Sequence, residues 1–354
     1  MAVSHESLSL PLPDELFPLF VSLGLYEGLA GRNLLITGGT GFFGQWLLAV
    51  LAELNRQGAR ISVTIVSRNP ACFLAAWPVY RQYDWLDWVS ADVRELPSLT
   101  RRSPDLILHA AADTSAEAHA RPLDLFGTLV EGAQRIFDLA VRSRTSRVLI
   151  TGSGAQYGSL PSTGGVSESY VGACVSNLPA SAYGEGKRVQ ETLAALYAQC
   201  HGLDVVMTRC FAFAGPGLPL DGHFAIGNFV RDALQADEVV LTSSGEAVRS
   251  YLHGADLAIW LLVLLLKGEP GVAYNVGSDE AISIADLARR VVARIAPDKP
   301  VSILGRSEGM ARSYYVPDIS RARALGLDVW TSLDSSIDSM AAWARIGRCD
   351  KSKP

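Results

Sequence analysis

Apolar positions along the chain follow two rhythms. Short apolar runs closed by polar or glycine-containing stretches predict strands at Asn33–Thr37, Ile61–Val66, Trp88–Ser90, Leu106–His109, Arg147–Thr151 and Asp204–Thr208. Between them, in segments such as Leu129–Val141 and Ala182–Gln199, apolar residues return every three or four positions, which predicts helices with one greasy face. Strands alternating with helices imply an α/β chain with a doubly wound parallel sheet covered on both faces, and ligands of such sheets lie at the carboxyl ends of the strands. Ahead of the first strand, Pro11 and Pro13 keep the chain extended. Leu16, Phe17, Phe20, Val21 and Leu25 then recur at helical spacing despite Pro18, predicting a short helix packed on the domain or on a partner subunit. Past about residue 211 glycine and proline thicken, as in Gly215-Pro216-Gly217-Leu218-Pro219, and the strand–helix rhythm becomes irregular. The chain therefore divides into an extension (1–30), a sheet-forming region (31–210) and a smaller region (211–354) partly interleaved with it.

Composition narrows the classes. With 354 residues, 49% of them apolar, a sizeable core is available. The net charge of −5 gives no electrostatic reason to expect nucleic acid. Five cysteines (Cys72, Cys174, Cys200, Cys210, Cys349) are scattered without a Cys-x-x-Cys pair, which argues against a zinc site or a disulfide framework and suits a reducing cytoplasm. The start of the chain has no Lys or Arg before Arg32, so no secretory signal is expected. The greasiest run, Leu257–Leu266, lies between Asp256 and Lys267; it is too short for a bilayer and reads as a buried helix. His109, His223 and His253 lack metal-ligand spacing, so no metal is expected.

The first strand runs into Gly38-Gly39-Thr40-Gly41-Phe42-Phe43-Gly44 and then an apolar helix. Gly38, Gly41 and Gly44 suit three separate needs: a turn at positive φ, close approach of the backbone to a pyrophosphate, and tight helix–strand packing. The helix that follows turns free N–H groups toward the phosphates. The second strand ends in Ser67-Arg68-Asn69, where an acid would hold the ribose hydroxyls of NAD. Arg68 stands there instead, which favours a 2′-phosphate and hence NADP(H), with NAD(H) left open. Asp92, after the third strand, is placed either to accept from an adenine amino group or simply to shape a turn. Tyr183 and Lys187, four apart, share a helix face, and a nearby ammonium lowers the pKa of a phenol. Ser153, at the end of the fifth strand, is placed to share a proton network with Tyr183.

Together with His109-Ala110-Ala111-Ala112, Tyr157-Gly158, Gly215-Pro216, Arg249-Ser250-Tyr251 ahead of Asp256, and Tyr274-Asn275-Val276-Gly277, these motifs resemble the extended short-chain dehydrogenase/reductase superfamily, specifically the NAD-dependent epimerase/dehydratase family acting on nucleotide sugars, over roughly residues 33 to 345. The resemblance implies a Rossmann-like domain, a substrate-binding C-terminal region and a homodimer through the helices around Leu129–Val141 and Ala182–Gln199. It implies Ser153, Tyr183 and Lys187 as catalytic residues. Gly38, Gly41, Phe42, Phe43, Gly44, Ser67, Arg68, Asp92, Val93, Ala110, Ala111, Ala112 and Lys187 would line the cofactor. Thr114, Ser153, Tyr183, His223, Asn228 and Arg249 would meet a nucleotide-diphosphate sugar, Arg249 gripping the diphosphate and His223 lying in a covering loop.

Three positions depart from the family pattern. The acid that follows the catalytic Ser/Thr in dehydratases is replaced by Gly154 and Ala155, and Glu185 or Glu168 would have to substitute for it. Ala212 takes the place of the Asn that often precedes Gly-Pro, and Leu129 stands where the helix after the fourth strand usually carries Asn. An epimerase acting through a transient keto-sugar is the leading expectation, ahead of an NADPH-dependent reductase, a 4,6-dehydratase and a non-catalytic dinucleotide sensor.

Overall fold

The computed structural model describes residues 10–13, 16–96, 103–113, 115–222, 224–306 and 313–351, with backbone alone for 347–351. Among these residues the apolar runs form β1 (Asn33–Thr37), β2 (Ser62–Ser67), β3 (Leu86–Ser90), β4 (Leu106–His109), β5 (Arg147–Ser153) and β6 (Val205–Cys210), joined by an edge strand β7 (Ala273–Val276). The order across the sheet is 7-6-5-4-1-2-3, and every adjacent pair is parallel. The order reverses between β1 and β4, and a crevice at such a switch point, beyond the strand ends, is where a parallel sheet of this kind receives its ligand. Each predicted strand appears within two residues of its expected limits. Ala273–Val276 is legible in the sequence only as a motif, because four residues, one of them Asn275, give no period to read.

Each face of the sheet carries helices. One face packs Phe42–Arg56 and Gly254–Lys267, the second being the greasy run, whose Leu257–Leu265 stretch is fully buried. No described helix is long and apolar enough to cross a membrane. The helix expected near the start spans Leu16–Ser22 and is followed by Leu25–Leu29; both lie against this layer, with Phe20, Leu25 and Leu29 at 0% exposure. Pro18 falls in the first turn of Leu16–Ser22, where its missing N–H costs nothing. The other face packs Pro122–Ser143 and Ala182–His201 against each other. Leu129 is buried between them, and a Cβ at Gly186 would strike its side chain at 2.7 Å.

Past β6 the chain builds a second core from Ala225–Gln235, Ile284–Ile295 and Leu333–Lys351. Small two- and three-residue strands stitch this lobe beside the crevice. One of them, Val248–Arg249, pairs with both Ile282–Ser283 and Tyr314–Tyr315. The buried carboxylate of Asp256 ties the two parts together, accepting from Trp330 N, Thr331 N and Thr331 Oγ1 at 2.8–3.0 Å.

Candidate active site

The glycine turn after β1 divides its duties as the spacing predicts. Gly38 has φ 72°, and a Cβ there would lie 2.5 Å from the Ala110 carbonyl oxygen. A Cβ at Gly44 would come within 2.2 Å of the Gly39 backbone. Gly41 differs: it is exposed, its φ is an ordinary −84°, and a Cβ would meet nothing nearer than Gly38 O at 3.5 Å. The protein's own packing therefore needs Gly38 and Gly44, while Gly41 keeps open the space before the N-terminus of Phe42–Arg56. That helix has no side-chain cap, so its first N–H groups face this space. An open concavity lined by free donors fits a pyrophosphate.

The floor beside it is built from β4. Ala110 N donates to Thr37 O at 3.2 Å and Ala111 N to Thr37 Oγ1 at 3.1 Å. His109 Nδ1 lies 2.7 Å from the same hydroxyl, and burial together with nearby Lys187 lowers its pKa to about 3, so it is a neutral strut. Ala112 and Tyr183 both pack against a small buried cluster of Ala118, Leu125 and Leu129. Phe42 and Phe43 are half-buried at the start of the helix, Phe43 meeting Phe213 at 5.0 Å between ring centres. Ser67 Oγ lies 3.1 Å from Thr40 Oγ1. Val93 is buried against Gly132.

One expectation for the cofactor changes here. Arg68 Nη2 lies 3.3 Å from Asp113 Oδ2 at an exposed position, and a carboxylate so close competes with a 2′-phosphate for the guanidinium, so the argument for NADP loses its support. Asp92 is the N-cap of a short turn and accepts from Arg94 N, Nε and Nη2 at 2.9–3.0 Å. Its geometry is that of a turn aspartate, and hydrogen bonds from Arg94 hold its carboxyl below the usual range.

Ser153 ends β5 because its own side chain starts the next turn: Ala155 N donates to Ser153 Oγ and Ser153 N to Gln156 Oε1, each at 3.1 Å. Tyr183 enters from the first turn of Ala182–His201, with its phenol near enough to the Ser153 hydroxyl for that group to lower its pKa. Burial dominates and holds the phenol up at about 12 against a smaller downward pull from Ser153. Lys187, one turn on, is 2% exposed. Its Nζ donates to Thr151 O at 2.5 Å and Gln190 Oε1 at 3.3 Å, and burial lowers it to about 8. Lys187 stands one turn from Tyr183 with its charge turned to a backbone carbonyl, and desolvation dominates the phenol of the protein without ligands.

Burial of Lys187 carries a stability signature in the protein without ligands. Between a folded value of about 8 and the ordinary 10.5 the unfolded chain binds the extra proton, so stability rises with pH across this window. Lys187→Met is expected to be more stable than the unsubstituted protein below pH 8, by up to about 3 kcal/mol less the two lost hydrogen bonds. The advantage should fade toward pH 10.5 in denaturant titrations. A gap independent of pH would contradict the assignment.

Tyr315 carries no signal in its sequence position. It is brought in by the pairing of Tyr314–Tyr315 with Val248–Arg249, and its hydroxyl stands 2.6 Å from where a Cβ on Gly154 would be. It lies near enough to Ser153 for that group to lower its pKa, but burial dominates and raises it above the usual tyrosine range. Arg249 lies over its ring at 5.6 Å and donates through Nη1 to Val248 O and Ser313 Oγ at 2.7 and 3.2 Å. Ser153, Tyr183, Tyr315 and Arg249 thus form one cluster. Asn228 sits on Ala225–Gln235 with its carbonyl taken by Arg231 Nη1 at 3.2 Å. Thr114 and His223 lie outside the described residues. Of the two acids considered as substitutes for Gly154 and Ala155, Glu168 has a buried side chain and accepts from Asn275 N at 2.9 Å, and Glu185 faces Arg188 at 3.8 Å.

Comparison with known proteins agrees with this layout. The model of the NAD dependent epimerase/dehydratase family matches residues 34–277. UDP-glucuronic acid decarboxylase 6 of Arabidopsis thaliana is 28% identical over 295 residues, 83% of each chain. Among solved structures, the dTDP-glucose 4,6-dehydratase DesIV of Streptomyces venezuelae, with NAD and TYD bound, is 26% identical with a TM-score of 0.75, covering 90% of this chain and 98% of its own. The UDP-glucose 4-epimerase of Thermotoga maritima, with UDP-glucose, is 21% identical with a TM-score of 0.75, covering 89% and 99%.

Proposed function

As the chain belongs to the NAD-dependent epimerase/dehydratase family, we propose that it oxidises a nucleotide-diphosphate sugar at carbon 4 to a transient ketone and then reduces it again, an epimerase-type cycle. The observation that carries this reading is the placing of Tyr183 and Lys187 one helical turn apart against the end of β5, where Lys187 donates to Thr151 O at 2.5 Å and the Tyr183 phenol lies near the Ser153 hydroxyl. A bound nicotinamide supplies the hydride acceptor and donor. Tyr183 takes the proton of the sugar hydroxyl as the hydride leaves and returns it in the second half. Ser153 holds the reacting oxygen. Lys187 uses two of its three N–H donors on Thr151 and Gln190, and the third serves the nicotinamide ribose. Arg249 grips the diphosphate with the donors that Nη1 leaves over.

Water elimination needs an acid for the leaving hydroxyl. Gly154 and Ala155 carry none, and Tyr315, pushed above its usual range, is a poor donor, which disfavours a 4,6-dehydratase. A second reading has its own support. A 4-keto uronic acid is a β-keto acid and loses carbon dioxide without an enzyme acid, and a UDP-glucuronic acid decarboxylase is among the relatives at 28% identity. Incubation with UDP-, dTDP-, GDP- and CDP-linked sugars and uronic acids, followed by product analysis, separates the readings. A C4 epimer supports the first and a pentose nucleotide the second, while a 4-keto-6-deoxy product defeats both.

The Arg68–Asp113 pair supports NAD(H) as the cofactor. NAD is expected to bind at least as tightly as NADP in titrations, and Arg68→Ala to leave NAD affinity within about twofold. NADP binding ten times tighter than NAD would overturn this. The protein is further proposed to act as a homodimer through Pro122–Ser143 and Ala182–His201, which carry the exposed Leu123 and Leu196; sedimentation at a single chain mass would refute it.

A further inference from the structure

Tyr183, Lys187 and Glu191 occupy one face of Ala182–His201 over successive turns. Each is tied to the end of β5 or to its neighbour. Lys187 donates to Thr151 O at 2.5 Å, and Tyr183, one turn before it, brings its phenol near the Ser153 hydroxyl. Glu191 uses both carboxylate oxygens: Oε1 accepts from Gln156 Nε2 at 2.7 Å and Arg209 Nε at 3.0 Å, and Oε2 accepts from Arg209 Nη2 at 2.9 Å. Gln156, at 2% exposure, closes the path, because its Oε1 accepts the Ser153 N–H at 3.1 Å.

The surroundings hold this link rigid. Arg209 belongs to β6, opposite Gly152 of β5, and lies over the Tyr157 ring at 4.6 Å. A Cβ on Gly152 would fall 2.1 Å from Thr208 O and 2.7 Å from Gln156 Oε1, so the two strands and the amide are in close contact. Arg188 Nη1 reaches the Gln156 carbonyl at 3.4 Å. Both polar ends of Gln156 are therefore engaged, one on Ser153 and one on the helix that carries Tyr183. An apolar residue of the same volume would fill the space without joining them.

We propose that Gln156 and Glu191 are positioning residues: they set the Ser153 hydroxyl against the Tyr183 phenol by fastening the Ser153 turn to the Tyr183 helix. The assignment rests on the Ser153–Tyr183 chemistry proposed above, since a placed hydroxyl affects the rate only where it meets the reacting oxygen. Small displacements at such a contact are costly, because hydride and proton transfer both depend on alignment.

Gln156→Met keeps the volume and removes both hydrogen bonds. It is expected to lower kcat about tenfold while KM for the sugar nucleotide and cofactor affinity stay within about twofold. An unchanged kcat, or a loss spread equally over kcat, KM and cofactor affinity, overturns the proposal. Glu191→Gln, which retains shape and part of the bonding, should keep more turnover than Glu191→Leu; equal loss in both marks a packing role and also overturns it. If the unsubstituted protein turns over no sugar nucleotide, the proposed function fails, and the positioning claim is read from amide exchange. Ser153 N–H should exchange at least about tenfold faster in Gln156→Met with Val148 unchanged, and equal Ser153 exchange in the two proteins refutes it.

Discussion

Replacing Tyr183 by phenylalanine is expected to lower turnover by about 10³-fold or more while leaving the fold, cofactor affinity and sugar-nucleotide affinity nearly unchanged. The substitution removes one oxygen. The ring keeps its packing against the Ala118, Leu125 and Leu129 cluster and its edge-on neighbour His119 at 5.6 Å. What is lost is the group proposed to carry the proton between the sugar hydroxyl and Ser153. Because burial holds the phenol protonated through neutral pH, oxidation should speed up as pH rises, roughly tenfold per unit at first, and a kcat/KM profile reads this slope. Ser153→Ala removes a group that pulls the phenol down and should shift that profile to higher pH. Full turnover by the Tyr183→Phe protein would rule out Tyr183 as the proton carrier.

The second large effect concerns the glycine turn. Gly44→Ala places a Cβ 2.2 Å from the carbonyl carbon and oxygen of Gly39. Neither side can give way easily: Gly44 is fixed in the helix Phe42–Arg56, and Gly39 lies so close to Ile65 that a Cβ on it would fall 2.7 Å from that side chain. The turn must open, at about 3 kcal/mol or more, which lowers Tm by roughly 4 °C or more in a protein of this size. Gly41→Ala makes the instructive contrast. Its φ suits alanine and its Cβ would touch nothing closer than 3.5 Å, so Tm should stay within about 1 °C. Its methyl group would instead fill the space before the helix N-terminus and weaken cofactor binding at least about tenfold. Undiminished cofactor affinity in Gly41→Ala would show that the pyrophosphate does not bind at this turn.

How much of the fold and site is legible in the sequence depends on how local each signal is. The first six strands, the glycine turn and the helical placing of Tyr183 and Lys187 follow from patterns a few residues long, because side-chain period and glycine spacing are properties of neighbouring residues. The edge strand Ala273–Val276 is too short to carry a period. Tyr315 gives no signal, since it reaches Ser153 only through pairing with Val248–Arg249. Gln156 looks like one residue in a motif and is instead a bridge, a role that needs Glu191 and Ser153 on opposite sides of it.

The charges divide in the same way. From sequence, Lys187 stands one turn from Tyr183 and Arg68 stands where an acid is usual, and both placements hold. Folding alone decided what those charges face: Lys187 turns to Thr151 O, and Arg68 meets Asp113 from 45 positions further along the chain. Spacing along a chain is written in the sequence because covalent geometry enforces it. Desolvation and partner choice arise only when distant segments close around a group, and in this protein that closure sets the protonation of the phenol and the partner of the arginine.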